Sequence, residues 1–214
     1  MGKIIYFQNW LNTKGEDMCK EFVTKIRSEK NNICDMADRA RDVLHYFNVG
    51  ETCTDIPIVE ILNKLGFKIY QTELEPTGLS AYIAVDPQYE EAFGSNKITC
   101  VHADESLGHK RFALAHELAH YLFDFNDNKQ LCYYNTYFPN DIDEKVEEKR
   151  ANKFAANLLM PEEVFKRKYD EYKELQSKAD IVCALSKEFK VSPTAILKRF
   201  EELGIKGYEY NMGN

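Results

Sequence analysis

Residues 111–123 read "RFALAHELAHYLF", with His116 and His120 four apart and Glu117 directly after the first histidine. Residues four apart share one face of an α-helix, so both imidazoles can aim a ring nitrogen at one point. A zinc ion bound by imidazole at roughly 2.0–2.1 Å suits that geometry. Glu117 lies too far round the helix to join easily as a ligand. It can reach a water in the open coordination position, which is where a general base belongs. The chemistry this spacing allows is metal-assisted hydrolysis. Glu117 accepts the proton of a water attacking a carbonyl, and the resulting acid protonates the leaving amine. Phe112, Leu114, Ala115, Leu118, Ala119 and Leu122 surround these residues with apolar side chains that exclude water.

Such a site needs a third ligand. A histidine three residues beyond an HExxHxxG pattern is ruled out, because Phe123 and Asn126 occupy those positions. The segment "DEKVEEKRANKFAANLLMP" offers carboxylates instead. Its buried helical stripe runs through Ala151, Phe154, Ala155, Leu158 and Leu159. Glu148 stands in line with Ala151, Asn152 and Ala155, and Glu147 with Ala151, Phe154 and Leu158. Glu144 lies one turn before Glu148. A carboxylate on an apolar stripe needs a partner, and a metal is a good one. The same acids could simply complement the helix dipole at a solvated start, beside Lys145, Lys149 and Arg150. Spacing alone leaves these readings open.

Elements to hold the two motifs follow from periodicity. Helices are expected at 107–124 and about 143–159, the latter stopping at Met160-Pro161. Upstream, "CDMADRARDVLHYFNVG" and "TDIPIVEILNKLG" carry helical patterns, the second with Asp55 as N-cap, Pro57 in the first turn and Gly66 past its end. Strands are expected at 67–74, 79–86 and 97–103, and 125–142 reads as an aromatic and polar loop. Helices at 161–175, 177–189 and 193–203 close the chain, the last with Ser192 as N-cap and Pro193 at its first position. The fold class is α+β: a small three-stranded sheet packed with helices, a zincin-like active-site helix pair and a helical C-terminus.

The 214 residues suit one domain, and 44% hydrophobic content provides a core without disulfide staples. Residues 1–32 read as a loosely attached, helical N-terminal extension and 33–175 as the metallopeptidase domain. Residues 176–204 read as a helix pair packed on that domain, and 205–214 as a tail. A net charge of −7 weighs against a general nucleic-acid or anionic-membrane surface. Six cysteines form no CxxC pair, and no apolar run has spanning or signal-peptide length. A cytoplasmic protein with free thiols is expected.

Together, "RFALAHELAHYLF" and "EEKRANKFAANLLMP" resemble the ImmA/IrrE family of bacterial and phage zinc metallopeptidases. The segments "DIPIVEILNKLGFKIY", "GLSAYIAVD" and "LSKEFKVSPTAILKRFEELG" extend the likeness over about residues 33–204. The resemblance implies one zinc ion per chain on His116, His120 and Glu148, a gluzincin-like set, with Glu117 as catalytic base. It places Asn152 as support for a ligand and implies cleavage of a helix-turn-helix transcriptional repressor, in the setting of a phage, mobile element or stress response. Ala119 replaces the usual glycine of AHELGH. Lys149 and Arg150 stand where further acids are common.

Other side chains are weighed beside these. His102 and His109 precede the active-site helix and are candidates for substrate or transition-state contact, while His45 reads as structural. Arg111 suits an ion pair or a substrate contact. Tyr133, Tyr134 and Tyr137 lie between the metal-bearing helices, where one, Tyr134 foremost, could stabilise an oxyanion. The strand "KITCVHA", if an edge, could accept a substrate peptide as an added strand. The C-terminal helix pair has helix-turn-helix proportions, but only Lys198 and Arg199 suit phosphates, so packed helices are the better reading. The activity expected is zinc-dependent endopeptidase cleavage of a protein substrate, without membrane or direct nucleic-acid binding. The alternative is a non-catalytic module that binds a repressor or toxin.

Overall fold

The computed structural model describes residues 13–74, 79–125, 131–136, 145–174 and 177–207. The three expected strands form as β1 (Lys68–Thr72), β2 (Leu79–Val85) and β3 (Lys97–His102). A fourth, β4 (Leu131–Thr136), arises within the segment expected to be loop. Its run "LCYYNT" has strand-forming aromatic content, which the polar residues on either side concealed. The sheet among the described residues is therefore four-stranded, in the order β1-β3-β2-β4. β1 runs parallel to β3, while β2 is antiparallel to both β3 and β4.

This order overturns one expectation. β3 is hydrogen-bonded on both sides, with Thr99 opposite Ile69 on β1 and Ile83 on β2, so "KITCVHA" offers no free edge to a substrate. β1 and β4 are the outer strands instead.

The helices are α1 (Thr13–Ser28), α2 (Met36–Tyr46), α3 (Ile58–Lys64), α4 (Tyr89–Phe93), α5 (Leu107–Phe123), α6 (Val146–Leu159), α7 (Glu162–Tyr172), α8 (Lys178–Phe189) and α9 (Pro193–Glu202). A 3-10 turn, Ile33–Asp35, leads into α2. The starts of α5, α8 and α9 are fixed by serine caps: Ser106, Ser177 and Ser192 accept from the amides of His109, Asp180 and Ala195. Asp55 does not cap α3, whose N-cap position is Pro57. Its carboxylate pairs with Arg111 at 3.2 Å and Lys190 at 2.5 Å. Gly66, just beyond α3, takes φ 90°, a left-handed conformation that costs glycine little.

α5 is the centre of the molecule. All its residues from Ala113 to Leu122 are buried, and one core joins them to Ala81 and Ile83 of β2, Val101 of β3 and Phe154, Ala155 and Leu158 of α6. Alanines at 113, 115 and 119 keep its surface flat enough for close approach. Its first turn touches the C-terminal helices directly. A Cβ on Gly108 would meet the Val191 carbonyl carbon and the Ser192 amide nitrogen at 2.6 Å.

α7, α8 and α9 close over Phe165, Phe189 and Phe200, whose rings pack with centroids 5.4 Å apart. Each such buried ring contributes about 1.5–3 kcal/mol of transfer free energy. Arg199 is only 1% exposed. It donates to the Met160 carbonyl at 3.1 Å and Asn157 Oδ1 at 2.9 Å, and it pairs with Glu202 at 2.8 Å. Consumed in the core, Arg199 is not presented to a phosphate backbone.

The N-terminal helix is held more firmly than a loose extension. Val23 and Ile26 of α1 lie in the common core, and the Phe22 ring stacks on Tyr46 at 3.9 Å. Arg27 donates to the Tyr121 carbonyl at 2.8 Å and lies 4.9 Å over the Tyr121 ring. Among the described residues no helix is long and apolar enough to cross a membrane. Cys19, Cys34, Cys53, Cys100 and Cys183 are free thiols.

Candidate metal centre

α5 and α6 cross so that His116 and His120 of the first meet Glu148 of the second. Glu148 Oε2 is 3.1 Å from His116 Nε2, and Oε1 is 3.4 Å from His120 Nε2. The two Nε2 atoms stand 2.9 Å apart. One ligand atom from each residue falls within 4.8 Å of the others, a cluster of His116, His120 and Glu148. Glu147, the rival by sequence, is exposed and does not belong to the cluster.

Both imidazoles are oriented from behind. His116 Nδ1 is 2.9 Å from Asn152 Oδ1, and His120 Nδ1 is 2.7 Å from Asp124 Oδ2. Oxygen acceptors at Nδ1 draw the proton there and leave Nε2 to offer a lone pair. The Nε2–Nε2 gap has room for one hydrogen, so at least one nitrogen presents its lone pair inward. Two inward nitrogens and one carboxylate fit a zinc-type divalent cation.

The electrostatics agree with a site built around positive charge. Burial works against charge on His120, but hydrogen bonds to Asp124 and Glu148, with Glu117 nearby, outweigh it and raise the imidazole to about 9. Burial pushes His116 below its ordinary value despite Glu148. Burial would also raise Glu148, but in the metal-free chain the contacts and charge of the two imidazoles outweigh it and hold its carboxyl far below the usual range.

Glu117 is fully buried, and neither carboxyl oxygen has a side-chain hydrogen-bond partner; the Ile83 backbone of β2 acts on it as a donor. Burial lifts its carboxyl to about 8, against the pull of His120. A buried carboxyl without side-chain partners is costly to maintain in a fold. It lies one residue from His116, on the inner face of α5.

The remaining sequence candidates fall elsewhere. Arg111 donates to the Ile56 carbonyl at 2.8 Å and pairs with Asp55, which ties α5 to the turn before α3. His109 Nε2 is 3.1 Å from Ser80 Oγ and 3.8 Å from Glu105. Seven residues before His116, it stands about two turns along the same face of α5. His102 ends β3, and its Nδ1 accepts the Asp104 amide at 3.2 Å. His45 is exposed on α2 rather than structural. Tyr134 sits on β4 opposite Tyr82, and Tyr133 opposite Ile83. Their side chains, with Tyr137 and Glu144, lie outside the described part of the chain.

Two contributors escaped the sequence reading. Asp124 follows His120 by four residues, the spacing that could have revealed it. Arg150 follows Glu148 by two and pairs with the second oxygen of Asp124.

No curated protein matches the chain. A solved structure of a Mycobacterium tuberculosis transcriptional regulator aligns with a TM-score of 0.51 at 17% identity, over 92% of this chain and 54% of that one. At that identity the likeness is one of fold, and this chain spans about half the length of that protein. The model of the peptidase M78 family, described as the IrrE N-terminal-like domain, matches residues 62–201, more than half of the chain and the whole of α5 and α6. The chain belongs to that family.

Proposed function

We propose that this chain is a zinc-dependent metalloendopeptidase that hydrolyses a peptide bond in a protein substrate, a helix-turn-helix repressor by its family resemblance. The observation that carries the reading is the converging His116–His120–Glu148 donor set, with Glu117, a buried carboxyl without a side-chain partner, directly beside it. A carboxyl buried beside metal-ligating side chains, with its proton affinity raised by desolvation, marks a functional site.

His116, His120 and Glu148 would hold the ion, with Asn152 and Asp124 orienting the two imidazoles from their Nδ1 side. Bound there, zinc supplies Lewis-acid polarisation of the scissile carbonyl and acidifies water. Glu117 takes the proton of the attacking water and returns it to the leaving amine as the C–N bond breaks. The apolar walls of α5 and β2 keep bulk water from competing. Cytoplasmic location fits the free thiols.

Two measurements test this. Elemental analysis should find one zinc per chain in wild type and Glu147→Ala, and little in Glu148→Ala. Purified repressor encoded beside the chain should be cut by wild type and not by Glu117→Gln, which still binds it. Full biological activity of Glu117→Gln would instead establish the non-catalytic binding module. Wild type that takes up no zinc would remove the hydrolase reading.

A further inference from the structure

We propose that Asp124 and Arg150 are positioning residues for His120, and that they extend the metal centre to the backbone following α1. This rests on the metal-site reading above. Asp124 closes α5, and its side chain is only 6% exposed. One oxygen meets His120 Nδ1 at 2.7 Å and the other pairs with Arg150 Nη2. Left alone in that setting, the carboxylate would be driven to swing out or take a proton. Arg150 prevents both.

The guanidinium is itself fixed. Its Nη1 donates to the Asn31 carbonyl at 3.1 Å, and its plane lies 5.9 Å over the Phe123 ring. A planar fork held at an anion, a carbonyl and an aromatic face has one orientation, which a lysine cannot reproduce. The order then passes along a chain of contacts. Asn31 anchors Arg150, Arg150 fixes Asp124, and Asp124 fixes the His120 ring so that Nε2 faces Glu148. For His116 the neutral Asn152 serves the same purpose. α6 thus brings both Glu148 and the cation that steadies the second histidine's partner. Asn31 lies outside the residues 62–201 matched by the family model, so a neighbouring part of this chain completes the site.

The test is zinc affinity, by competition with a chromophoric chelator, for wild type, Asp124→Ala, Arg150→Met, Arg150→Lys and the double variant Asp124→Ala/Arg150→Met. Melting of each metal-free protein checks folding, and cobalt(II) absorption reports coordination geometry. Asp124→Ala and Arg150→Met should each weaken zinc by about 10–100-fold, the range for groups that orient a ligand. Arg150→Lys should fall between, and the cobalt bands should shift in all three. The double variant should bind no more weakly than Asp124→Ala, because Arg150 acts through Asp124. Affinities within about twofold of wild type, or losses that add in the double variant, would overturn the proposal. If Arg150→Met does not fold, Arg150→Lys decides: weakened zinc supports the proposal and wild-type affinity refutes it. Wild type without zinc affinity would refute the metal-site reading itself, an outcome distinct from intact variants.

Discussion

A single carboxyl group sets the character of this protein at the residue scale. Glu117 occupies the most buried helix with no side-chain hydrogen-bond partner, at a cost of about 1–3 kcal/mol for an incompletely satisfied buried polar group. Replacing it with a similar-sized apolar residue should therefore stabilise the metal-free fold. Glu117→Met is expected to melt several degrees higher than wild type in EDTA at pH 8, while losing hydrolysis altogether. An unchanged or lower melting temperature would show that Glu117 is satisfied in solution and carries no strain. The histidines and Glu117 were legible because their spacing is fixed by one helix. Glu148 could be narrowed to two neighbours from its helical stripe, and only the crossing of α5 and α6 separates it from Glu147. Arg111 illustrates the limit. Its type and position allowed ion pair or substrate contact, and the choice depended on Asp55, which is brought beside it by tertiary packing.

At the scale of elements, helix ends carried most of the readable information. Ser192-Pro193, the Met160-Pro161 stop and Gly66 all mark boundaries where backbone chemistry demands them. What the local pattern could not reveal was attachment. α1 is a polar amphipathic helix whose few apolar residues, Val23 and Ile26, suffice to dock it because Arg27 also grips the Tyr121 carbonyl. β4 was hidden because its partner, β2, lies about fifty residues away and its own alternation is short. The junction of α5 with the α8–α9 turn is the tightest of these attachments, and it makes a specific prediction. Ala is the better helix former by up to about 1 kcal/mol, so an isolated helix would gain from Gly108→Ala. Here the added methyl would press on backbone at 2.6 Å, atoms that cannot rotate aside. Overpacking of about 1–3 kcal/mol should outweigh the propensity gain. Gly108→Ala should melt lower, by about 2–4 °C for each kcal/mol in a chain of this size. A higher melting temperature would mean that the α8–α9 turn is not seated on α5. Arg199→Met should likewise lower stability, and leave any nucleic-acid affinity unchanged, because its guanidinium is spent on Met160, Asn157 and Glu202.

For the whole molecule, the metal centre links stability to pH. In the metal-free chain Glu117 holds its proton up to about 8, where an exposed glutamate loses it near 4.5. His120 holds its own to about 9, against 6.5 when free. Between pH 6.5 and 8 the folded state therefore keeps protons on both groups that the unfolded chain has released. Stability must fall as pH rises through that window, and continue to fall with His120 alone up to about 9. The lowered Glu148 and His116 act in the opposite sense, but below their ordinary values of 4.5 and 6.5, so they do not cancel the trend. Zinc reverses it. Loading requires His120 to give up a proton, so proton competition weakens as pH rises and the stabilisation from bound metal grows. Melting curves at pH 6.5, 7.5, 8.5 and 9 should fall steadily in EDTA and diverge upward from that line with excess zinc. Glu117→Gln should remove the part of the EDTA slope that lies below about pH 8 and leave the remainder to His120. A metal-free curve that is flat or rises over this range would show that the buried acid and the second histidine do not keep their protons. A zinc gap that narrows with pH would mean that metal binds without displacing the His120 proton, and His120 would then not be a ligand.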